Sequence, residues 1–515
     1  MSTDETFESQ QNRDTAVEFT RTLKQLLRLI GEIPDFSVEN EFAMRLRAHL
    51  GDDPSTLPVT NQSFPPYQLV DMHIAFELWP EEAPGRSMEV IGIAGQHTHH
   101  QSFRDLVTPH QRYSVGPVEY TDVADSPSTT RNCLAFATIL LRENDTTWAV
   151  MFRGPEENQR AGCSIEITTA NPGDAKRLLA NIRSLAVDHS VLRGQIVALG
   201  PGEGNNYGGL RFMARPELDR GDLILPDEDI SRIEGHVVGV AHHHERLVAA
   251  RQHLKRGVLL YGPPGTGKTH TVRYLLSQLT DRTAFILSGQ SLGMISQACA
   301  LAKLLSPSIV ILEDIDLIAG DRSFSPVGSN ALLFEVLNQI DGLDGDVDVT
   351  FLLTTNRVDI LEKALSERPG RVDVAVEIAP PNAEGRRRLL DLYGSALGVA
   401  DLSTEDVAST IDATEGRTAT FMREVVRRAA LIAAAETEIG ELRVDGHILE
   451  RATQSLTEDR TQLTRSILNG SSEPDAEPHL AMSPGMVVGS GWVGARSGYF
   501  RASPRDDSMP FGSSD

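Results

Sequence analysis

Apolar positions along this chain follow two rhythms. Near the start, Val17, Phe19, Leu23, Leu26, Leu27 and Ile30 recur at roughly helical spacing behind Asp14, which can cap a helix. Shorter runs over 72–78, 135–141, 147–153 and 164–169 predict strands, and 173–187 predicts a helix. Together they predict an α+β domain over residues 1–198. The second rhythm is continuous. Val258-Leu-Leu-Tyr261, Ala284-Phe-Ile-Leu287, Ile309-Val-Ile-Leu312 and Val349-Thr-Phe-Leu-Leu353 show little polar alternation. Such runs fit parallel strands buried on both faces. Helical spacing returns over 382–398, 403–413 and 418–436. The stretch 200–209 is rich in Gly and Asn and reads as a flexible linker within a connector over 199–225. From about 470 onward Gly, Ser, Pro and Asp dominate, which predicts a disordered tail over 470–515.

Composition narrows the class. At 515 residues, with 40% hydrophobic and 23% charged residues, the chain calls for two or three globular domains. A formal net charge of −24 disfavours nucleic acid as a partner, because nonspecific affinity for phosphate backbones needs basic surface. Arg386-Arg387-Arg388 reads as the solvated face of a helix. Three cysteines without metal or redox spacing fit a reducing cytoplasm. No basic-then-apolar leader and no run approaching ~20 apolar residues is found, so no membrane segment is expected. Arginine outnumbers lysine, as GC-rich bacterial genomes favour. Neither His97, His99 and His100 nor His242, His243 and His244 can all face one metal from a regular element, so no zinc site is expected.

The chemistry is concentrated between the continuous runs. Gly262-Pro263-Pro264-Gly265-Thr266-Gly267-Lys268-Thr269-His270 fills every fixed position of G-x-x-x-x-G-K-[ST], directly after one apolar strand and directly before a helix. Glycines let backbone N–H groups curl inward around phosphate oxygens. Lys268 adds a point charge for the β- and γ-phosphates, Thr269 offers a hydroxyl to Mg²⁺, and the helix presents its positive end to the same anion. The strand over 308–313 then ends in Glu313, Asp314 and, two residues on, Asp316. Ligands of open parallel sheets lie at the strands' carboxyl ends, so these carboxylates are expected to face the phosphate loop. One holds the Mg²⁺ shell and the other polarises the attacking water. Asn356, at the end of the strand over 349–356, is placed to orient that water.

With Arg368-Pro-Gly-Arg371-Val-Asp373 added at the expected spacing, residues 226–460 resemble the AAA family of ATPases within the AAA+ superfamily. The resemblance implies an α/β P-loop domain over 226–381, built on a parallel five-stranded sheet, with a helical lid over 382–469. It implies a sensor role for Asn356. It also implies that Arg368 and Arg371 act as arginine fingers reaching the ATP of a neighbouring subunit, in a ring that is usually a hexamer. Val238 and Gly239 stand where such proteins hold adenine. Thr418-Ala-Thr-Phe421 stands where a second sensor segment lies, with Arg423 as the nearest arginine. The implied activity is Mg²⁺-dependent ATP hydrolysis coupled to remodelling of a protein client, whose choice the N-terminal domain would govern by analogy.

Two features depart from the family pattern. The acidic pair is ordered Glu313 then Asp314, which puts glutamate on the magnesium side and the shorter aspartate in the position of the base. The segment 289–295 also lacks the aromatic residue with which threading members grip unfolded chains. Leu292, Met294 and Ile295 are its only apolar side chains; they read either as a weak grip on a client, Met being adaptable, or, the favoured reading, as ordinary packing or a shortened loop. The alternative to a mechanoenzyme is a nucleotide-dependent scaffold or switch with little turnover. A DNA-acting role is disfavoured by the acidity and by the R-P-G-R-x-D run. The sequence contains no H-E-x-x-H, so no built-in zinc protease is expected.

Overall fold

The computed structural model describes residues 20–26, 28–29, 40–96, 98–108, 112–155, 162–200, 209–316, 338, 347–357, 372–399, 402–436 and 442–470. Leu456 closes one compact unit, and Thr457–Asp515 form a second.

The N-terminal part is built on an antiparallel sheet of strands β1 (Val59–Phe64), β2 (Arg86–Ala94), β3 (Ser114–Gly116), β4 (Glu119–Ala124), β5 (Thr130–Glu143), β6 (Thr146–Arg153) and β7 (Cys163–Thr168). Their order is β1-β7-β6-β5-β2-β3, and β4 pairs with the first half of β5. Helices α1 (Glu41–Leu50), α2 (Leu69–Leu78) and α3 (Pro172–Asp188) cover this sheet. Ala137, Ile139 and Leu141 of β5 join one core with residues of α2 and α3, while Phe136 and Leu140 join a second core with Phe42 and Leu46 of α1. Burial on both faces explains why these strands read as unbroken apolar runs.

The expected strand over 72–78 is wrong: those residues lie in α2. Leu69, Val70, Asp71, Met72, His73, Ala75 and Phe76 are all buried, so the helix has no polar face to reveal a 3.6-residue period. Of the expected N-terminal helix, residues 20–26 and 28–29 are helical, and Leu23, Leu26 and Leu29 are exposed. Asp14, Val17, Phe19, Leu27 and Ile30 lie outside the described residues, as does the tail from 471.

The second sheet comprises β8 (Ile196–Leu199), β9 (Leu210–Met213), β10 (Arg256–Tyr261), β11 (Thr283–Ser288), β12 (Ser308–Glu313), β13 (Val349–Thr355) and β14 (Val374–Glu377). Their order is β14-β10-β13-β12-β11-β8-β9. The five expected parallel strands are present, and the sheet extends two strands further. β8 pairs parallel to β11, and β9 returns antiparallel to β8. The boundary expected at 198 therefore falls inside β8. Gly200 N donates to Gly209 O at 2.9 Å, so the ends of the expected linker over 200–209 close a hairpin; residues 201–208 lie outside the described set. Four-residue strands carry too little pattern to stand out beside a Gly-rich stretch.

Helices α4 (Asp227–Glu234), α5 (Lys268–Gln278) and α6 (Ile295–Leu304) flank this sheet. Leu292 and Ile295 are fully buried and Met294 packs on the same core, so the apolar residues of the 289–295 segment are structural. The lid consists of α7 (Ala383–Gly394), α8 (Thr404–Ala413), α9 (Ala419–Glu436) and α10 (Gly446–Gly470). Asn382 caps α7 and Ser403 caps α8, each through its side chain. Leu390, Met422, Val425 and Leu449 centre the lid core. Among the described residues no helix is long and apolar enough to cross a membrane.

Candidate functional site: a phosphate loop facing a pair of carboxylates

The site forms where β10, β12 and β13 end side by side. β10 runs into the loop 262–267, and α5 starts at Lys268. Two glycines explain the loop's shape. Gly262 has φ +145° and lies so close to β14's exit that a Cβ would stand 2.4 Å from the Ile378 carbonyl oxygen. Gly265, at φ +82°, is covered by the lid: Thr420 donates to its carbonyl through N (3.1 Å) and Oγ1 (3.2 Å).

Lys268 is buried, and its ammonium donates to Gly262 O at 2.8 Å and Pro263 O at 2.9 Å. Burial pulls it below the usual lysine range, while Asp314 and Asp316 draw it partly back. Thr266 Oγ1 donates to Pro263 O at 3.0 Å, and His270 Nε2 lies 3.2 Å from Asp222 O. The former ties the loop to itself and the latter to the connector.

Opposite lies the acidic strand end. Asp314 has φ +50°, and its N donates to Thr354 Oγ1 at 3.0 Å. Asn356 Nδ2 donates to Asp314 Oδ1 at 3.2 Å. Glu313 is raised above the usual carboxylate range by burial and then by its neighbour Asp314, and a hydrogen bond from Thr269 partly offsets this. Burial alone would raise Asp316 too, but donation from Asn356 and Thr355 outweighs it and holds that carboxyl low. Thr269 and Glu313 thus bring two side-chain oxygen donors together beside the loop. That donor set fits Mg²⁺.

A cavity of about 390 Å³ joins these parts. Pro264, Gly265, Gly267, Lys268, Thr269 and His270 line it from the loop, and Asp314 and Asn356 from the opposite wall. Gly262, Pro263 and Thr266 shape the loop without lining the cavity, and Glu313 stands behind Thr269. Val238 packs into the core shared with α5, and neither it nor Gly239 lines the cavity. Arg368 and Arg371 lie outside the described residues.

The remaining walls include residues that the sequence reading assigned no role or only weakly. Arg273 comes from α5, Tyr393 from α7, and Ala419, Thr420 and Arg423 from the start of α9. Arg273 follows Thr269 by one helical turn, a spacing that marks the same face. Ala419 and Thr420 belong to the 418–421 segment that the family likeness singled out, whereas nothing local distinguishes Tyr393, since lid packing alone brings it there.

Residues 258–380 match the family "ATPase family associated with various cellular activities (AAA)". The chain is 33% identical over 217 residues to 26S protease regulatory subunit 6A of Caenorhabditis elegans, covering 38% of this chain and 49% of that one. It is 35% identical over 205 residues to 26S proteasome regulatory subunit 6A of Encephalitozoon cuniculi (strain GB-M1), covering 37% and 51%. The chain thus spans about half the length of the curated relatives it matches. Among solved structures, the FIGL-1 AAA domain in complex with ADP aligns at 22% identity and TM-score 0.37, covering 45% of this chain and 82% of that one. The phosphate loop, the acidic strand end and Asn356 all lie within the one stretch, residues 258–380, that matches this family, so that stretch is an AAA domain.

Proposed function

We propose that this protein binds Mg·ATP, hydrolyses it, and couples turnover to remodelling of a protein partner or assembly. The observation that carries this reading is the meeting of Lys268, Thr269, Asp314 and Asn356 on one cavity. In this reading the loop's N–H groups and Lys268 bind the β- and γ-phosphates. Thr269 and Glu313 would hold Mg²⁺, which supplies charge neutralisation on the phosphates when bound. Asp314 accepts a proton from water as the water oxygen bonds to the γ-phosphorus and the bond to the β-phosphate oxygen breaks. Asn356 orients that water. Val238 and Gly239 are assigned to the adenine end, and Arg368 and Arg371 of a neighbouring subunit to the charge that develops on the phosphoryl oxygens. The active unit is then a homo-oligomeric ring, by family likeness a hexamer.

With Leu292, Met294 and Ile295 committed to packing, that segment offers a client no apolar grip, so the proposed remodelling acts on a specific partner rather than by threading through it. A cytoplasmic setting suits Cys133, Cys163 and Cys299, free buried thiols that burial pushes up to about 12. Steady-state phosphate release tests the activity. Lys268→Ala is expected to lose ATP binding and turnover together, whereas Asp314→Asn is expected to bind ATP normally with kcat lowered by about 10³-fold or more. Undiminished turnover in Asp314→Asn removes that residue as the base. A wild-type chain that binds ATP without turnover supports the scaffold reading instead.

A further inference from the structure

The chemistry proposed above leaves Asp316 without a role, yet it is the most heavily hydrogen-bonded carboxylate at the site. Its Oδ1 accepts from Asn356 N at 2.9 Å and from Thr355 Oγ1 at 2.9 Å. Its Oδ2 faces Asn356 Nδ2 at 3.4 Å, and the same Nδ2 donates to Asp314 Oδ1 at 3.2 Å. An ionised carboxylate only accepts, and an asparagine amide has two N–H donors and one acceptor oxygen. Two carboxylates on one side therefore determine the amide's orientation: its nitrogen must face them, and both of its hydrogens are engaged. The Asn356 side-chain oxygen is left as the group free to act on a ligand, and Asn356 lines the cavity. An acceptor there suits a hydrogen of water and repels a phosphate oxygen, which also only accepts. The Asp314 carboxylate is held by the same amide and so inherits its position.

We propose that Asp316 is a positioning residue: it locks the Asn356 amide nitrogen toward Asp314, so that the amide oxygen accepts a hydrogen bond from the attacking water. This rests on the ATPase reading above. A role exerted instead through the charge on Lys268, to which Asp316 contributes less than burial or Asp314, would appear in ATP affinity, whereas positioning appears in kcat.

The test is a double-mutant cycle in the full chain. Asp316→Asn is expected to lower kcat about tenfold to 10²-fold, the scale of a misplaced catalytic group, with the Kd for a fluorescent ATP analogue unchanged within about twofold. Because Asp316 acts through Asn356, Asp316→Asn/Asn356→Ala is expected to be no slower than Asn356→Ala alone. Should Asp316→Asn not fold, Thr355→Val removes one donor to the same carboxylate and is expected to lower kcat at constant Kd. An unchanged kcat, a loss confined to Kd, or additive losses in the cycle overturns the positioning role. A wild-type chain that releases no phosphate overturns the underlying ATPase reading instead.

Discussion

At the scale of single residues, burial decides which ionisable groups are available to chemistry and which set stability. Asp71 in α2 is almost fully buried, accepting from Ser190 Oγ at 2.7 Å and Val191 N at 2.8 Å. Desolvation outweighs those two bonds and raises its carboxyl to about 6. A raised carboxyl favours the folded state when protonated. Its contribution is therefore complete below the ordinary carboxylate pKa and is lost as pH rises through about 6. Asp71→Asn keeps an acceptor for Val191 N without the charge. It is expected to flatten the pH dependence of stability between roughly pH 4 and 6 and to be more stable at pH 7.5 by on the order of 2 kcal/mol. Thermal melts of both proteins across that range check this, and parallel curves would refute it. The phosphate loop and the acidic strand end were legible at this scale because each residue type is dictated by the group it must bind. The partners of Asp316 were not, since Thr355 and Asn356 lie at the end of a different strand.

At the scale of elements, the hairpin β8–β9 extends the nucleotide-binding sheet beyond the strands expected for it. Ile196, Val197 and Ala198 pair with Ala284, Phe285 and Ile286 of β11, and Val197, Leu199 and Leu210 enter the core beneath α6. Arg215, just past β9, clamps the end of α5, donating to Leu276 O at 2.6 Å, Leu279 O at 2.9 Å and Gly194 O at 2.7 Å. A chain starting at residue 226 loses all of this and bares the β11 edge. Each lost apolar side chain is worth about 1.5–3 kcal/mol, and an open edge invites association. Such a chain is expected to aggregate on size-exclusion chromatography, whereas one starting at residue 190 elutes as a folded species. A well-behaved product from residue 226 would show the hairpin to be dispensable. Helices α7, α8 and α9 were legible from their period alone. Helix α2 was misread because its burial all round erased the period.

At the scale of the whole molecule, the N-terminal domain meets the nucleotide-binding domain through specific contacts. Tyr67 packs against the core beneath α6 and hydrogen-bonds Gln297 of α6. Asp71 holds residues 190 and 191, which lead into β8. These contacts give the N-terminal domain a direct hold on α6 and on the chain that enters β8, at the far side of the sheet from β10. Beyond one chain, the proposed role of Arg371 requires a neighbour. Lys268→Ala protomers lack a working loop and Arg371→Ala protomers lack a finger, so each alone is expected to be inactive. Mixed, they are expected to recover a measurable fraction of wild-type phosphate release, because Lys268→Ala supplies the arginine that Arg371→Ala lacks. No recovery in the mixture would rule out action in trans.

By itself the sequence determined what short-range rules dictate. A phosphate loop needs its glycines, lysine and threonine in consecutive order, buried parallel strands need unbroken apolar runs, and the lid helices need apolar positions at helical spacing. Only the tertiary structure decided what depends on residues distant in the chain. Thr420 lies over Gly265, Asn356 lies between Asp314 and Asp316, and a hairpin from before the ATPase region completes its sheet. Those placements are set by packing between elements, which leaves no periodic trace in any one segment.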